Sequence, residues 1–369
     1  MTSKKKILFI ITGLVGGGAE KALVNLLVAL DKTRYDVELL VVFGNQMKSD
    51  EILNIRVYTL FSSAKNIIYK FAKHLYVDLC VNFLIRCLTR RMITKKYDTI
   101  ISFLEGDSLL YHSFINDKAA INISWVHTDF VENHWSKRHF VKDDEYRAYL
   151  TLDKLVFVSE YAKNQFAKVF PLPSSIQQYV CANIINTQEI ITKSKEQTDI
   201  AKTKFTICSV GRLEEVKGYD MVIDAAKILK DRHIDVDFWI IGTGSQEKSL
   251  KDKLRYAQCE DMVHFLGYKS NPYPYMRTAD VFLSSSYAEG LPLVFCEAQC
   301  LGKPIISTRT IGALELLKNN TANRIVDFSA SAIANQIEDY VINKWYLNAN
   351  NSLNHDSMIV LNQIYSNIL

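Results

Sequence analysis

Short, near-continuous apolar runs alternate along the chain with stretches whose apolar residues recur every three or four positions. Residues 7–11, 37–42, 57–60, 99–103, 120–126 and 154–158 have the length and apolarity of strands buried on both faces, as in a parallel sheet. Between the first two runs, Leu23, Leu26, Leu27 and Leu30 mark one face of a helix. That alternation predicts an α/β domain with a doubly wound parallel sheet. The pattern starts afresh at 205–210 and continues through 238–241, 263–266, 279–283 and 305–307, predicting a second Rossmann-like domain. Pro171, Pro173, Ser174 and Ser175, with a polar stretch over 187–204, place the linker at 171–186, so the domains are read as 1–170 and 171–356. Met358, Leu361, Ile364 and Tyr365 at helical spacing predict a helix over 357–369.

Composition agrees with two globular domains: 369 residues are too many for one ordinary core, and 48% apolar content excludes disorder. The net charge of +4 is unevenly placed, with 24 Lys and Arg against 18 Asp and Glu in residues 1–170 and 20 against 22 in the remainder. A basic first half suits an anionic surface, but no nucleic-acid module is legible. Residues 65–96 concentrate the charge: Lys65, Lys70, Lys73, Arg86, Arg90, Arg91, Lys95 and Lys96 stand against the one carboxylate Asp78, with large apolar residues between them. Two readings stay open, a helical segment lying on an anionic membrane and an ordinary domain helix with a basic solvated face. Lys4, Lys5 and Lys6 before an apolar run imitate a secretory signal, yet the run leads into a glycine turn and an amphipathic helix, so it is read as structure. No run reaches the roughly eighteen apolar residues of a membrane span. The seven cysteines lack C-x-x-C or interleaved-histidine spacing. The chain is therefore expected to be cytoplasmic, soluble or peripheral, with reduced thiols and no metal or cofactor.

Candidate chemistry centres on residues 284–301. An apolar run ends in a turn at Glu289-Gly290, and Pro292 is expected at the first position of a helix. The free amides of such a helix start, over Gly290, Leu291, Pro292, Leu293 and Val294, suit a diphosphate. Glu289 in the turn and Glu297 on the second helical turn bracket that site, and a carboxylate can accept the paired hydroxyls of a ribose. Upstream, Arg212 and Lys217 follow the run at 205–210, where both cations could reach one diphosphate. Gly16, Gly17 and Gly18 close the first strand and would let backbone approach a ligand. His127 sits at a strand's carboxyl end, the ligand side of an open parallel sheet. Glu105 and Asp107 could touch an acceptor hydroxyl, while His134 and His139 read as surface groups and Cys296 and Cys300 as small core residues. Asp235-Val236-Asp237 is an Asp-x-Asp, but it precedes its apolar run and is assigned to the solvated start of a strand.

Taken together, Gly17-Gly18-Ala19-Glu20, His127, Gly211-Arg212, Lys217-Gly218 and Glu289 through Glu297 resemble the retaining glycosyltransferases of family 4 over nearly the whole chain. That resemblance implies the GT-B fold, two Rossmann-like domains facing across a cleft, with the last helix returning to the first domain. It implies a nucleotide sugar, most simply UDP-linked, held by Arg212, Lys217, residues 290–294 and Glu297, with Glu289 orienting the sugar. His127 would contact the transferred sugar from the first domain, and Gly17 and Gly18 would face the donor phosphate. The loops at Gly242-Thr243-Gly244 and Gly267-Tyr268 would flank the base. The implied reaction is metal-independent transfer of a hexose or N-acetylhexosamine to a glycan acceptor, lipid-linked in capsule or lipopolysaccharide synthesis. A sugar-nucleotide epimerase of the same fold and a non-catalytic partner subunit of a transferase remain as alternatives.

Overall fold

The computed structural model describes residues 3–14, 17–44, 54–317, 321–344 and 357–369. The chain divides into two compact units, Met1–Ile184 with Ser357–Leu369, and Ile185–Asp356. Gly16 lies outside the described residues.

In the first unit seven parallel strands stand in the order β3-β2-β1-β4-β5-β6-β7: β1 (Lys5–Ile11), β2 (Tyr35–Phe43), β3 (Arg56–Phe61), β4 (Tyr97–Ser102), β5 (Ala119–Val126), β6 (Lys154–Phe157) and β7 (Gln177–Val180). Ile7 of β1 registers with Val37 of β2 and Thr99 of β4, and residues 7–11 are buried throughout because helices cover both faces. β7 extends the first unit past the expected boundary at 170. Its Gln177, Gln178, Tyr179 and Val180 are exposed or half-buried, as an edge strand allows, so no apolar run announced it.

The tail belongs to this unit. Helix Ser357–Gln363 runs into a π-helical turn, Ile364–Ile368. The Tyr365 ring stacks on Tyr35 at 5.7 Å, and its hydroxyl accepts from the Asp31 amide at 2.8 Å. Lys5 and Lys154, the first residues of β1 and β6, donate to the Leu369 and Ile368 carbonyls at 2.8 and 2.9 Å.

The second unit holds six parallel strands in the order β10-β9-β8-β11-β12-β13: β8 (Phe205–Val210), β9 (Val236–Ile241), β10 (Val263–Phe265), β11 (Val281–Ser284), β12 (Ile305–Thr308) and β13 (Arg324–Val326). Val222, Ala226 and Leu229 of helix Tyr219–Asp231 share a core with Ile333, Ile337 and Tyr340 of helix Ala330–Asn343. In both sheets the chain winds outward, returns to the middle and winds the other way. The reversals lie between β1 and β4 and between β8 and β11, where the loops part and leave room for a ligand.

Candidate functional site

At the carboxyl ends of β8 and β11 a pocket is lined by Val210, Lys217, Tyr219, the Ser284-Ser285-Ser286 run, Glu289 and Val294. Two loops are pressed together to build it. The turn Glu215–Lys217 ends at Gly218, whose φ of +61° suits glycine and whose missing Cβ would stand 2.2 Å from the Ser285 carbonyl oxygen. Ser285 Oγ donates to the Lys217 carbonyl, and the Tyr287 amide to the Val216 carbonyl, both at 2.8 Å.

These contacts bring Lys217 to Glu289, and the two form an ion pair. Ser286 Oγ donates to the same Glu289 oxygen at 2.7 Å, and the Glu289 backbone carbonyl accepts from the Gly312 amide at 3.1 Å. Separate duties for Lys217 on phosphate and Glu289 on sugar are thus joined by a contact that sequence reading did not foresee. Ser286 was missed as well. Three serines at the carboxyl end of an apolar strand, just before a glutamate, were the available signal.

Helix Leu293–Cys300 begins beside the pair. Pro292 is its N-cap, one position before the expected first helical residue, and no side chain caps the helix start. Val294, in the first turn, lines the pocket. Gly290 and Pro292 pack against Gly312, where a Cβ would come within 2.5 Å of both. Glu297 is buried in the body of the helix and is not among the lining residues. Cys296 is buried, and burial pushes its thiol up to about 12, which makes it an inert core group.

Arg212 is exposed and stands outside the pocket lining. Its loop is zipped to the loop after β9, with Gly211 N and Leu213 N donating to Ile241 O and Thr243 O, each at 3.0 Å. Gly242, at φ +142°, would place a Cβ 1.9 Å from the Gly211 oxygen. The glycines expected to flank a base therefore serve loop packing first. Asp235 and Asp237 lie at the amino end of β9, away from the pocket. Lys204 pairs with Asp235 at 2.8 Å, and Asp237 is buried within 3.4 Å of His264 Nε2, so it is not the solvated group expected.

The first unit gathers its own polar groups at the ends of β1, β4 and β5. The fully buried Glu105 accepts on one oxygen from the His127 amide at 2.6 Å and from the Thr128 amide and hydroxyl at 2.9 Å. Burial raises its carboxyl above the usual range. The His127 ring packs on Phe103 at 5.0 Å, and burial pushes its imidazole down to about 3 against a hydrogen bond from the Phe103 backbone. His127 is thus a neutral imidazole whose turn Glu105 fixes.

Asp107 is buried and fully engaged by Lys73 at 2.6 Å, Tyr69 at 2.7 Å and His139 at 2.9 Å, so it offers nothing to an acceptor. His139 belongs to that network and His134 bonds Glu145 at 2.8 Å, so neither is the surface group expected. Their polar neighbours in sequence concealed partners far along the chain. The Gly17 amide donates to Glu20 at 3.0 Å at the start of helix Gly18–Ala29, and a Cβ on Gly18 would meet nothing within 4 Å. No protein contact demands a glycine there.

Comparison with known proteins agrees with this geometry. Residues 190–355 match the family described as glycosyl transferases group 1. An uncharacterised glycosyltransferase of Haemophilus influenzae is 29% identical over 82% of this chain and 80% of its own length. The amylovoran biosynthesis glycosyltransferase AmsK of Erwinia amylovora is 35% identical over 31% of this chain and 30% of its own. Among solved structures, Anabaena HepE in complex with UDP and glucose superposes with a TM-score of 0.76 over 98% of both chains at 19% identity. The shared architecture is that of the GT-B glycosyltransferases, and the chain belongs to the group 1 glycosyltransferases.

Proposed function

We propose that the chain transfers a hexose or N-acetylhexosamine from a UDP-sugar to a glycan acceptor in polysaccharide biosynthesis, with retention of anomeric configuration. The observation that carries the reading is the Lys217–Glu289 pair beside the start of helix Leu293–Cys300 at the reversal between β8 and β11. A diphosphate arriving there meets an ammonium, the amides over 290–294 and the flexible guanidinium of Arg212. Together these stabilise the negative charge that grows on the leaving phosphate. As Lys217 turns to phosphate, Glu289 is released to accept a hydrogen bond from the sugar, while Ser286 keeps its carboxylate in place.

Glu297 is assigned to the ribose hydroxyls, which requires the buried carboxylate to be reached along the helix face. His127 of the first unit is assigned to the transferred sugar as a neutral hydrogen-bonding group, and Gly17 and Gly18 to close approach of backbone to phosphate. No side chain of the pocket is placed as a nucleophile, so the leaving phosphate oxygen takes the acceptor's proton in a front-face attack. The acceptor is taken to be a lipid-linked glycan, as polysaccharide assembly uses. The titrating cations replace a metal in this scheme.

A thermal-shift screen with UDP, GDP, ADP and their sugars tests the donor: UDP and one UDP-sugar should raise the midpoint and the other nucleotides should not. Turnover should persist in EDTA. Activity abolished by EDTA and restored by manganese would overturn the metal-independent scheme, and production of a new sugar-nucleotide isomer without acceptor would favour the epimerase.

A further inference from the structure

The basic run at 65–96 folds as two helices, Ile67–Leu79 and Phe83–Met92, separated where Cys80 adopts φ +57°. Each buries one side only: Tyr69, Ala72 and Tyr76 in the first helix, Ile85 and Thr89 in the second. On the other side Ile67 is 83% exposed, Ile68 54%, Phe71 55% and Leu79 59%, and across the turn Phe83 is 70% exposed. With about 100° between successive residues, Ile67, Ile68, Phe71 and Leu79 fall within an arc of about 120°. Single exposed apolar residues are ordinary on a protein surface, whereas a continuous stripe marks an interaction surface.

The charges around the stripe sort into two sets. Lys73 is tied to Asp107, Arg90 to Asp117 through two hydrogen bonds of 2.6 and 2.9 Å, and Lys95 to Glu38. These three hold the helix pair to its unit. Lys65, Lys70, Arg86, Arg91 and Lys96 have no side-chain partner among the described residues. The one carboxylate of the run, Asp78, pairs with His74 at 2.5 Å.

We propose that this face docks on an anionic lipid surface, with Ile67, Phe71 and Phe83 entering the acyl boundary while Lys70, Arg86 and Arg91 meet the headgroups. The occupant follows from the charges. A second copy would set cations against cations with no spare carboxylate between them. An acidic protein surface would satisfy the cations and leave the rings wet. An anionic bilayer offers negative charge above and an apolar interior beneath, matching both features at once. The inference does not depend on the transfer reaction, and its failure would leave that reading intact.

Co-sedimentation of the full chain with vesicles of phosphatidylglycerol and phosphatidylcholine, against phosphatidylcholine alone, provides the test. The protein should pellet with the anionic vesicles at low salt and be released as the screening length shrinks from about 10 Å at 0.1 M to about 3 Å at 1 M. Lys70→Glu/Arg86→Glu/Arg91→Glu should weaken partitioning at least a hundredfold, since each cation removed costs about fivefold. Ile67→Ser/Phe71→Ser should weaken it at least tenfold with the charges intact. All five positions are exposed, so an unchanged thermal midpoint certifies folding, and the Lys70→Glu/Arg91→Glu pair replaces any set that fails this check. No pelleting with anionic vesicles, equal pelleting with neutral ones, or indifference to both sets of substitutions would overturn the proposal. So would concentration-dependent self-association that the same substitutions abolish in the absence of lipid binding.

Discussion

Lys217 and Glu289 hold opposite charges against each other in the ligand-free pocket, and that pairing decides how each substitution should act. Removing the ammonium deletes a charge-assisted bond to phosphate, so Lys217→Ala should weaken UDP binding roughly 10- to 100-fold. Removing the carboxylate charge frees the ammonium, so Glu289→Gln should leave UDP affinity unchanged or slightly tighter while turnover falls by roughly two orders of magnitude. Calorimetry with UDP and initial rates with the donor separate the two; equal loss of UDP affinity in both variants would dissolve the division of roles. A second residue-scale expectation concerns pH. His112 is fully buried between Ser102 and Asn122, and burial pushes it down to about 4 from an ordinary 6.5. The unfolded chain takes up that proton first, so the stability tied to neutral His112 is complete above about pH 6.5 and is lost as pH falls toward 4. The slope is about 1.4 kcal/mol per pH unit. Glu105, whose carboxyl is raised by burial, acts with the opposite sign. The measurement is therefore a difference: between pH 6.5 and 5, denaturant midpoints of His112→Gln should fall less steeply than those of the parent chain by one proton's worth.

Among the elements, the turns that present the site separate glycines needed by the fold from a glycine available to a ligand. Gly218→Ala must force a left-handed conformation and drive a Cβ into the Ser285 oxygen, so it should cost about 1–3 kcal/mol and loosen the pocket together with the fold. Gly18→Ala meets open space, so its midpoint should stay within about 0.5 kcal/mol of the parent while donor turnover falls. An equal loss of stability in the two variants would refute the distinction. The same contrast explains what the sequence made legible. Strands β1, β2, β4 and β5 are buried on both faces and therefore spell out apolar runs, as do β8, β9 and β12. β7 begins with two glutamines, and β13 is three residues long with its arginine and isoleucine only half-buried, so neither stands out from a loop. Periodicity placed the loops that carry Lys217 and Glu289, and local pattern could say that both were near strand ends. Their mutual contact spans 72 positions in sequence and depends on Gly218 fitting beneath Ser285, which no local pattern encodes. The engagement of Asp107 by Lys73 and His139 was hidden for the same reason.

At the scale of the whole molecule, each unit has its own core, one centred on Leu8, Ile100 and Phe157 and the other on Val222, Phe238 and Ile337. Sequence order and unit membership part company at the end of the chain, where Ser357–Leu369 joins the first unit. Two cores with separate supports should unfold in two calorimetric transitions, and each can be moved alone. UDP at a hundred times its dissociation constant adds roughly 2.7 kcal/mol to whatever binds it. If the pocket at β8 and β11 is the nucleotide site, only the transition of Ile185–Asp356 should rise, by about 5–10 °C for a unit of that size. Truncation before Ser357 strips the Tyr365 ring from Tyr35 and removes the bonds that Lys5 and Lys154 make to the tail, so it should lower the other transition. The UDP-induced rise should be the same in the truncated and full-length chains, because the lost contacts all lie in the unit that does not bind the nucleotide. A single transition that moves with both perturbations would mean that the two cores melt as one. A UDP effect on the first transition alone would put the nucleotide among Gly17, Gly18 and His127 instead.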